Sequence, residues 1–439
     1  MKDQLMKLDP LSRRTFVEKV AKTALGVSII PVMGSDKVFG ATGGKAKHCI
    51  YLYMSGGMTH IDTFDPKPGT ETGGKTEAVK TSVPGISLGQ YLPGLAERMK
   101  DIAVVRTLTQ KTADHRGASY WMHTSYQPRA TIIHPTLGPW AQKLLGKSHE
   151  TLPSSVQIGG GGGGPGSGFF GPELSPLPIG SAESGVQDSK SVVDEKSFDK
   201  RLKMMQTFDS GFESKFKNDD VKAYTQFYDE TLKLMKSTDL DVFDLSKDPK
   251  VAERTTKYGN NGFGKGLMLA KNLVKSGVRF VEVDLGGWDM HNDLWNTTII
   301  GARGNTLDTA VSALIDELKA DGLFEETLIV LTTEFGRTPN INSNGGRDHY
   351  PRTFSGLLAG GGIVGGQVYG KTDAKGIAVE ENPVEPKDFN ATIATALGLP
   401  LDKIVFSPSG RPFMVAGHKE DPATKKIIPE GKVLPGLLS

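Results

Sequence analysis

The chain has 439 residues, with 52 Lys and Arg against 50 Asp and Glu, for a formal charge of +2. So even a balance argues against nucleic acid as an obligate partner, because that binding rests on neutralising phosphates. The single cysteine, Cys49, excludes an intrachain disulfide; it sits in the apolar run from Cys49 to Met54 and reads as a buried structural thiol.

From the N-terminus, Ser12-Arg13-Arg14-Thr15-Phe16-Val17 has the form of a twin-arginine export signal. An apolar stretch from about Val20 to Met33 follows, and then small residues at Val38-Phe39-Gly40-Ala41 that suit a signal peptidase. That stretch is too short to span a bilayer comfortably and no second one follows, so no stable transmembrane anchor is expected. Residues 1–40 read as a signal peptide and 41–439 as one domain, exported folded through the twin-arginine translocation machinery to a periplasmic or extracellular location. Residues 1–40 hold seven Lys and Arg and four Asp and Glu, so the exported part carries −1.

Short apolar runs predict strands at His48–Met54, Ile102–Arg106, Val278–Leu285, Thr327–Thr333 and Ser355–Ala359. Helical spacing predicts helices at Leu92–Met99, Gly266–Lys275 and Thr306–Asp321. This alternation reads as an α/β fold with helices packed around a mostly parallel sheet. Residues 159–168, rich in glycine, have no Lys-Ser/Thr ending and read as a flexible surface loop. A charged stretch at about 184–260, with helical spacing in Phe198–Phe208 and Val221–Met235, reads as a helical insertion or lid whose charges form a solvated face.

Ligands of such sheets collect beyond the carboxyl ends of the strands. The first strand runs into Ser55-Gly56-Gly57-Met58-Thr59-His60-Ile61-Asp62. The Val278 strand runs into Gly286-Gly287-Trp288-Asp289-Met290-His291. The Thr327 strand runs into Glu334-Phe335-Gly336-Arg337, and Gly345-Gly346-Arg347-Asp348-His349 comes after it. Mixed imidazole and carboxylate clusters are what divalent metals select. Asp62, Asp289, His291, Glu334, Asp348 and His349 are therefore expected around one or two ions of zinc, manganese or calcium. Arg337 and Arg347 carry forked donors suited to sulfate or phosphate oxygens, and they join His60 as expected substrate-binding residues.

The twin-arginine start, the stretch from Gly56 to Pro68, Gly168-Phe169-Phe170-Gly171-Pro172, and the blocks around Asp289, Glu334 and His349 resemble domain of unknown function 1501. That family is similar to the alkaline-phosphatase and sulfatase superfamily. The resemblance implies a three-layer α/β/α sandwich and metal-dependent hydrolysis of small-molecule or glycan sulfate or phosphate esters. It places Asp62 at the superfamily's early aspartate, Asp289 and His291 at its later pair, and His349 at its final histidine. Glu334-Phe335 stands where the superfamily has Asp-His, and no Cys or Ser followed by x-Pro-x-Arg is present, so an ordinary formylglycine sulfatase is not expected. His115 falls nearest the nucleophile position, open to roles as nucleophile, proton donor, ligand or helix cap. A metal- or glycan-binding pseudoenzyme and a surface structural protein are the alternative readings.

Overall fold

The computed structural model describes residues 43–160, 164–187, 189, 193–194, 196–204 and 231–439. The expected export signal, and residues 205–208 and 221–230 of the two insertion helices read from the sequence, lie outside them. Among the described residues no helix is long and apolar enough to cross a membrane.

Eight strands form the main sheet: β1 (His48–Tyr53), β2 (Ile102–Leu108), β3 (Ser155–Ile158), β4 (Leu177–Ile179), β5 (Phe280–Asp284), β6 (Thr327–Thr332), β7 (Phe354–Ala359) and β8 (Gln367–Tyr369). Their order is β8-β2-β7-β6-β1-β5-β3-β4. Every pairing is parallel except those of β7, which runs antiparallel to both β2 and β6. The central strands read as continuous apolar runs because both faces of the sheet are covered, and alternate side chains go to opposite sides. Ile50 and Leu52 enter one core with Leu267, Leu273, Leu307 and Leu314. Cys49, Tyr51 and Tyr53 enter the other with Trp140, Leu144, Phe389 and Ile393. The fold is therefore the expected three-layer α/β/α sandwich.

Among the described residues six helices of eight or more residues cover the sheet or frame its carboxyl edge, α1 (His115–Thr124), α2 (Leu137–Leu145), α3 (Val251–Tyr258), α4 (Gly262–Lys275), α5 (Ala302–Ala320) and α6 (Pro386–Ala396), and a short helix at Pro93–Glu97 packs on α5 where Leu92–Met99 was expected. α4 starts at its Asn261 cap, whose side chain accepts from the Gly264 amide at 2.9 Å. The insertion departs from expectation at its end, where α3 packs on α4 and α5 and so belongs to a helical layer. Arg254 of α3 is buried and pairs with Glu317 of α5 at 2.7 Å and with Asp248 at 2.5 Å, so this charge is not on a solvated face. Within the insertion, residues 196–204 and 231–236 are helical, and Phe198 and Leu202 pack on Leu232 and Met235.

Candidate metal centre

Three imidazoles meet at the carboxyl edge of the sheet. His115 is the first residue of α1, whose cap is Asp114; its carboxylate accepts from the Gly117 amide at 2.7 Å. His115 is thus free of capping duty. Asp289 and His291 lie on the loop after β5, and Glu334 stands two residues beyond β6. His349 arrives differently. It pairs antiparallel with Arg337, five residues before β7, and because β7 is reversed its N-terminal end lies at this same edge.

Each imidazole is held by an oxygen at Nδ1. The partner is Glu334 Oε1 at 2.6 Å for His115, Asp348 Oδ1 at 2.9 Å for His291 and the Ala113 carbonyl at 2.8 Å for His349. A carbonyl can only accept and ionised carboxylates only accept, so in the neutral rings each proton resides on Nδ1 and each Nε2 carries a lone pair. The three Nε2 atoms converge on Asp289 Oδ1, at 3.5 Å from His115, 3.2 Å from His349 and 3.0 Å from His291. His291 Nε2 and His349 Nε2 stand 3.1 Å apart, and the buried His115 Nε2 has no hydrogen-bond partner.

Lone pairs so close, of which that of His291 alone faces an N–H, from Arg337 Nη1 at 3.3 Å, make a site suited to a cation. Four donors at zinc-ligand distances in a tetrahedron are about 3.4 Å apart, close to the separations found here. Ligand atoms of His115, Asp289 and His349 all lie within 4.8 Å of one another. The outer oxygens match the usual support of metal-bound histidines. Asp289, Glu334 and Asp348 against the Arg337 guanidinium leave two negative charges, which a dication balances.

The electrostatics follow from these contacts. Burial pushes the Asp289 carboxyl up, but the Arg337 guanidinium outweighs it and holds the group down at about 2. Burial likewise opposes ionisation of Glu334, and its bonds from His115 and the Gly56 amide bring it below the usual carboxylate range. The Glu334 bond in turn raises the His115 pKa, making the ring a stronger donor. Phe335, fully buried, lies beside the His115 and His349 rings at centroid distances of 4.9 and 4.6 Å and walls the cluster.

Other expected site residues lie elsewhere or act differently. Asp62 is fully buried; its carboxylate accepts from Thr59 at 2.7 Å, from Thr76, and from Arg347 Nε at 2.8 Å, so it is neutralised before it could meet a metal. Arg347 spends its remaining donors on the carbonyls of Thr338, Pro339 and Thr72 and has none for a substrate. Arg337 touches the cluster through Asp289 and, from Nη1 at 3.3 Å, through His291 Nε2, while its remaining donors go to the carbonyls of Gly57, Gly56 and Arg347. His60 is fully buried with Nε2 bonded to the Gly376 carbonyl at 2.9 Å, away from the cluster. Glu334 and Asp348 reach imidazoles rather than the point where the donors converge. Tyr53, which donates to Glu334 Oε2 at 3.2 Å, was not anticipated, since an apolar strand gives no sign of which hydroxyl ends beside an acid.

The profile of the family described as "Protein of unknown function (DUF1501)" matches residues 46–427. No curated protein is similar enough to match. Solved structures similar to the chain include the PsFucS1 sulfatase from Pseudoalteromonas sp., 12% identical over 89% of this chain and 72% of that one, with a TM-score of 0.38. The lipoteichoic acid synthase LtaP from Listeria monocytogenes is 11% identical over 96% and 90%, with a TM-score of 0.36. The alkaline phosphatase from the Antarctic bacterium TAB5 is 12% identical over 74% and 95%, with a TM-score of 0.32. At such values the likeness extends no further than the arrangement of sheet and helices already described.

Proposed function

We propose that this chain, which belongs to the DUF1501 family, is an exported metal-dependent hydrolase of sulfate or phosphate esters of small molecules or glycans. The observation that carries the reading is the convergence of three oriented Nε2 lone pairs on Asp289 Oδ1. His115, Asp289, His291 and His349 hold the ion; Glu334 and Asp348 fix the ring tautomers from behind, and Arg337 keeps Asp289 ionised. When bound, a divalent cation supplies Lewis acidity toward an ester oxygen and lowers the pKa of water. The nitrogen-rich donor set favours zinc or manganese over calcium, which takes oxygen ligands.

Metal analysis of protein purified from an exporting host, with a panel of phosphate and sulfate esters, tests this reading. About one equivalent of zinc or manganese is expected, and His115→Ala and His349→Ala are expected to lose metal and turnover together. Full metal retention and unchanged turnover in both variants would refute it. A second reading, a metal-binding protein without turnover, is favoured by one observation. Among the described residues no hydroxyl bonds His115, Asp289, His291 or His349, leaving no serine or threonine poised as nucleophile. A loaded protein inert across the panel would select it.

A further inference from the structure

With Arg337 and Arg347 committed to carbonyls and carboxylates, recognition of an anion needs another cation near the cluster. Arg303, on the first turn of α5, is half-buried and has no hydrogen bond or ion pair among the described residues. Its guanidinium lies against Gly287. A Cβ built there would stand 2.6 Å from Nη2, 2.7 Å from Nε and 2.8 Å from Cζ, so the glycine packs against the Nε–Nη2 side of the fork. Nη1 is the donor nitrogen farthest from the glycine, and the Nη1–Nη2 edge is available to an acceptor. Gly287 has φ +90°, a conformation glycine tolerates, and it precedes Asp289 by two residues. Chain geometry then puts the guanidinium within roughly 12 Å of the Asp289 Cα. The next helical residue, Gly304, seats the turn on Tyr91, where a Cβ would come within 2.5 Å of the tyrosine's own Cβ. This contact fixes where Arg303 projects. Although the Asp284 carboxylate stands 3.7 Å from the Cβ position of the preceding Gly286, it forms no ion pair with Arg303.

A half-buried cation with no acceptor forfeits part of its hydration and gains nothing in return. A planar fork of donors best matches the paired oxygens of phosphate or sulfate. We infer that Arg303 is an oxyanion-binding residue that grips the sulfuryl or phosphoryl oxygens of the substrate from across the Gly286-Gly287 loop, restricting the site to anionic esters. This assignment rests on the hydrolase reading for its place in turnover, though not for binding itself.

Calorimetric titration of inorganic phosphate and of sulfate into the metal-loaded full chain tests it, using wild type, Arg303→Ala and Arg303→Lys. Arg303→Ala is expected to weaken binding at least tenfold and to raise KM far more than it lowers kcat. Metal content and melting temperature should stay unchanged, and Arg303→Lys should fall between. Equal affinity in wild type and Arg303→Ala, or no binding of either anion to loaded wild type, would overturn the assignment. Wild type that takes up no metal would instead sink the hydrolase reading. In that case titration of the metal-free proteins still decides the arginine: loss of anion binding in Arg303→Ala supports it, and unchanged binding refutes it.

Discussion

Replacing Glu334 by glutamine removes one charge from behind His115 while keeping nearly the same shape. In the native protein Oε1 accepts from His115 Nδ1 at 2.6 Å and the Gly56 amide at 2.8 Å, and Oε2 accepts from Tyr53 at 3.2 Å and Thr333 at 3.1 Å. A glutamine carbonyl placed at Oε1 preserves the first two bonds, and both hydroxyls on the other side can rotate to accept from its amide. The fold should therefore persist, and the main loss is the basicity that the carboxylate lends to the imidazole. Outer partners of metal-bound histidines typically contribute 10- to 100-fold in affinity, which is about 1.4 to 2.8 kcal/mol at the usual 1.4 kcal/mol per decade. Chelator competition on wild type and Glu334→Gln should show a weakening in that range, with the metal-free melting temperature nearly constant. Affinity unchanged within twofold, in a variant that melts like wild type, would refute the assignment of Glu334 as the group that orients and charges His115.

Asp62→Ala should destabilise the protein by about 3–5 kcal/mol in a denaturant titration, because it strands the buried Arg347, while the folded fraction retains its metal; selective loss of metal would make Asp62 a ligand after all. Gly56→Ala should lower both metal occupancy and stability, since Gly56 sits at φ +112° and an added Cβ would stand 2.6 Å from the Asp289 amide. Circular dichroism melts with metal analysis check this, and full occupancy at wild-type stability would contradict it. Burial first, helped by Arg129 and His418, drives the His134 pKa from 6.5 down to about 4. The folded state thus binds fewer protons there, so its contribution is complete above pH 6.5 and is lost as pH falls toward 4. Denaturant midpoints of wild type and His134→Gln should converge on acidification through that window, and parallel curves would exclude the effect.

The central strands were legible because burial of both faces writes them as apolar runs, and the glycine loops after them marked the sheet edge where Asp289, His291 and Glu334 lie. α1 was expected only through the resemblance, which made His115 a candidate helix cap: His-Arg-Gly-Ala-Ser-Tyr-Trp-Met-His-Thr lacks a clear apolar stripe, and the cap proves to be Asp114, three residues before Gly117. β3, β4 and β8 are short and sit toward the edges of the sheet, where few residues carry the pattern. The error over Asp62 and Arg347 has a different origin. These residues are 285 positions apart and pair in the interior, and nothing local distinguishes an acid bound for a guanidinium from one bound for a metal. The same holds for His115 and Glu334, 219 positions apart. Residue types revealed the chemistry available, whereas partnership was fixed by the tertiary fold.

The reversed strand β7 also sets a timetable. Its neighbours are β2, some 250 residues earlier in the chain, and β6, which just precedes it, so one of its two pairings closes a very long loop. Such distant pairings are slow to form. His349 reaches the cluster only as the segment leading into β7 docks, by which time the donors from α1 and from the loop after β5 have long been synthesised. A nascent chain that ends before residue 349 lacks one of the three imidazoles. If the cluster holds an ion as proposed, its capture is among the last events of maturation and follows the docking of β7.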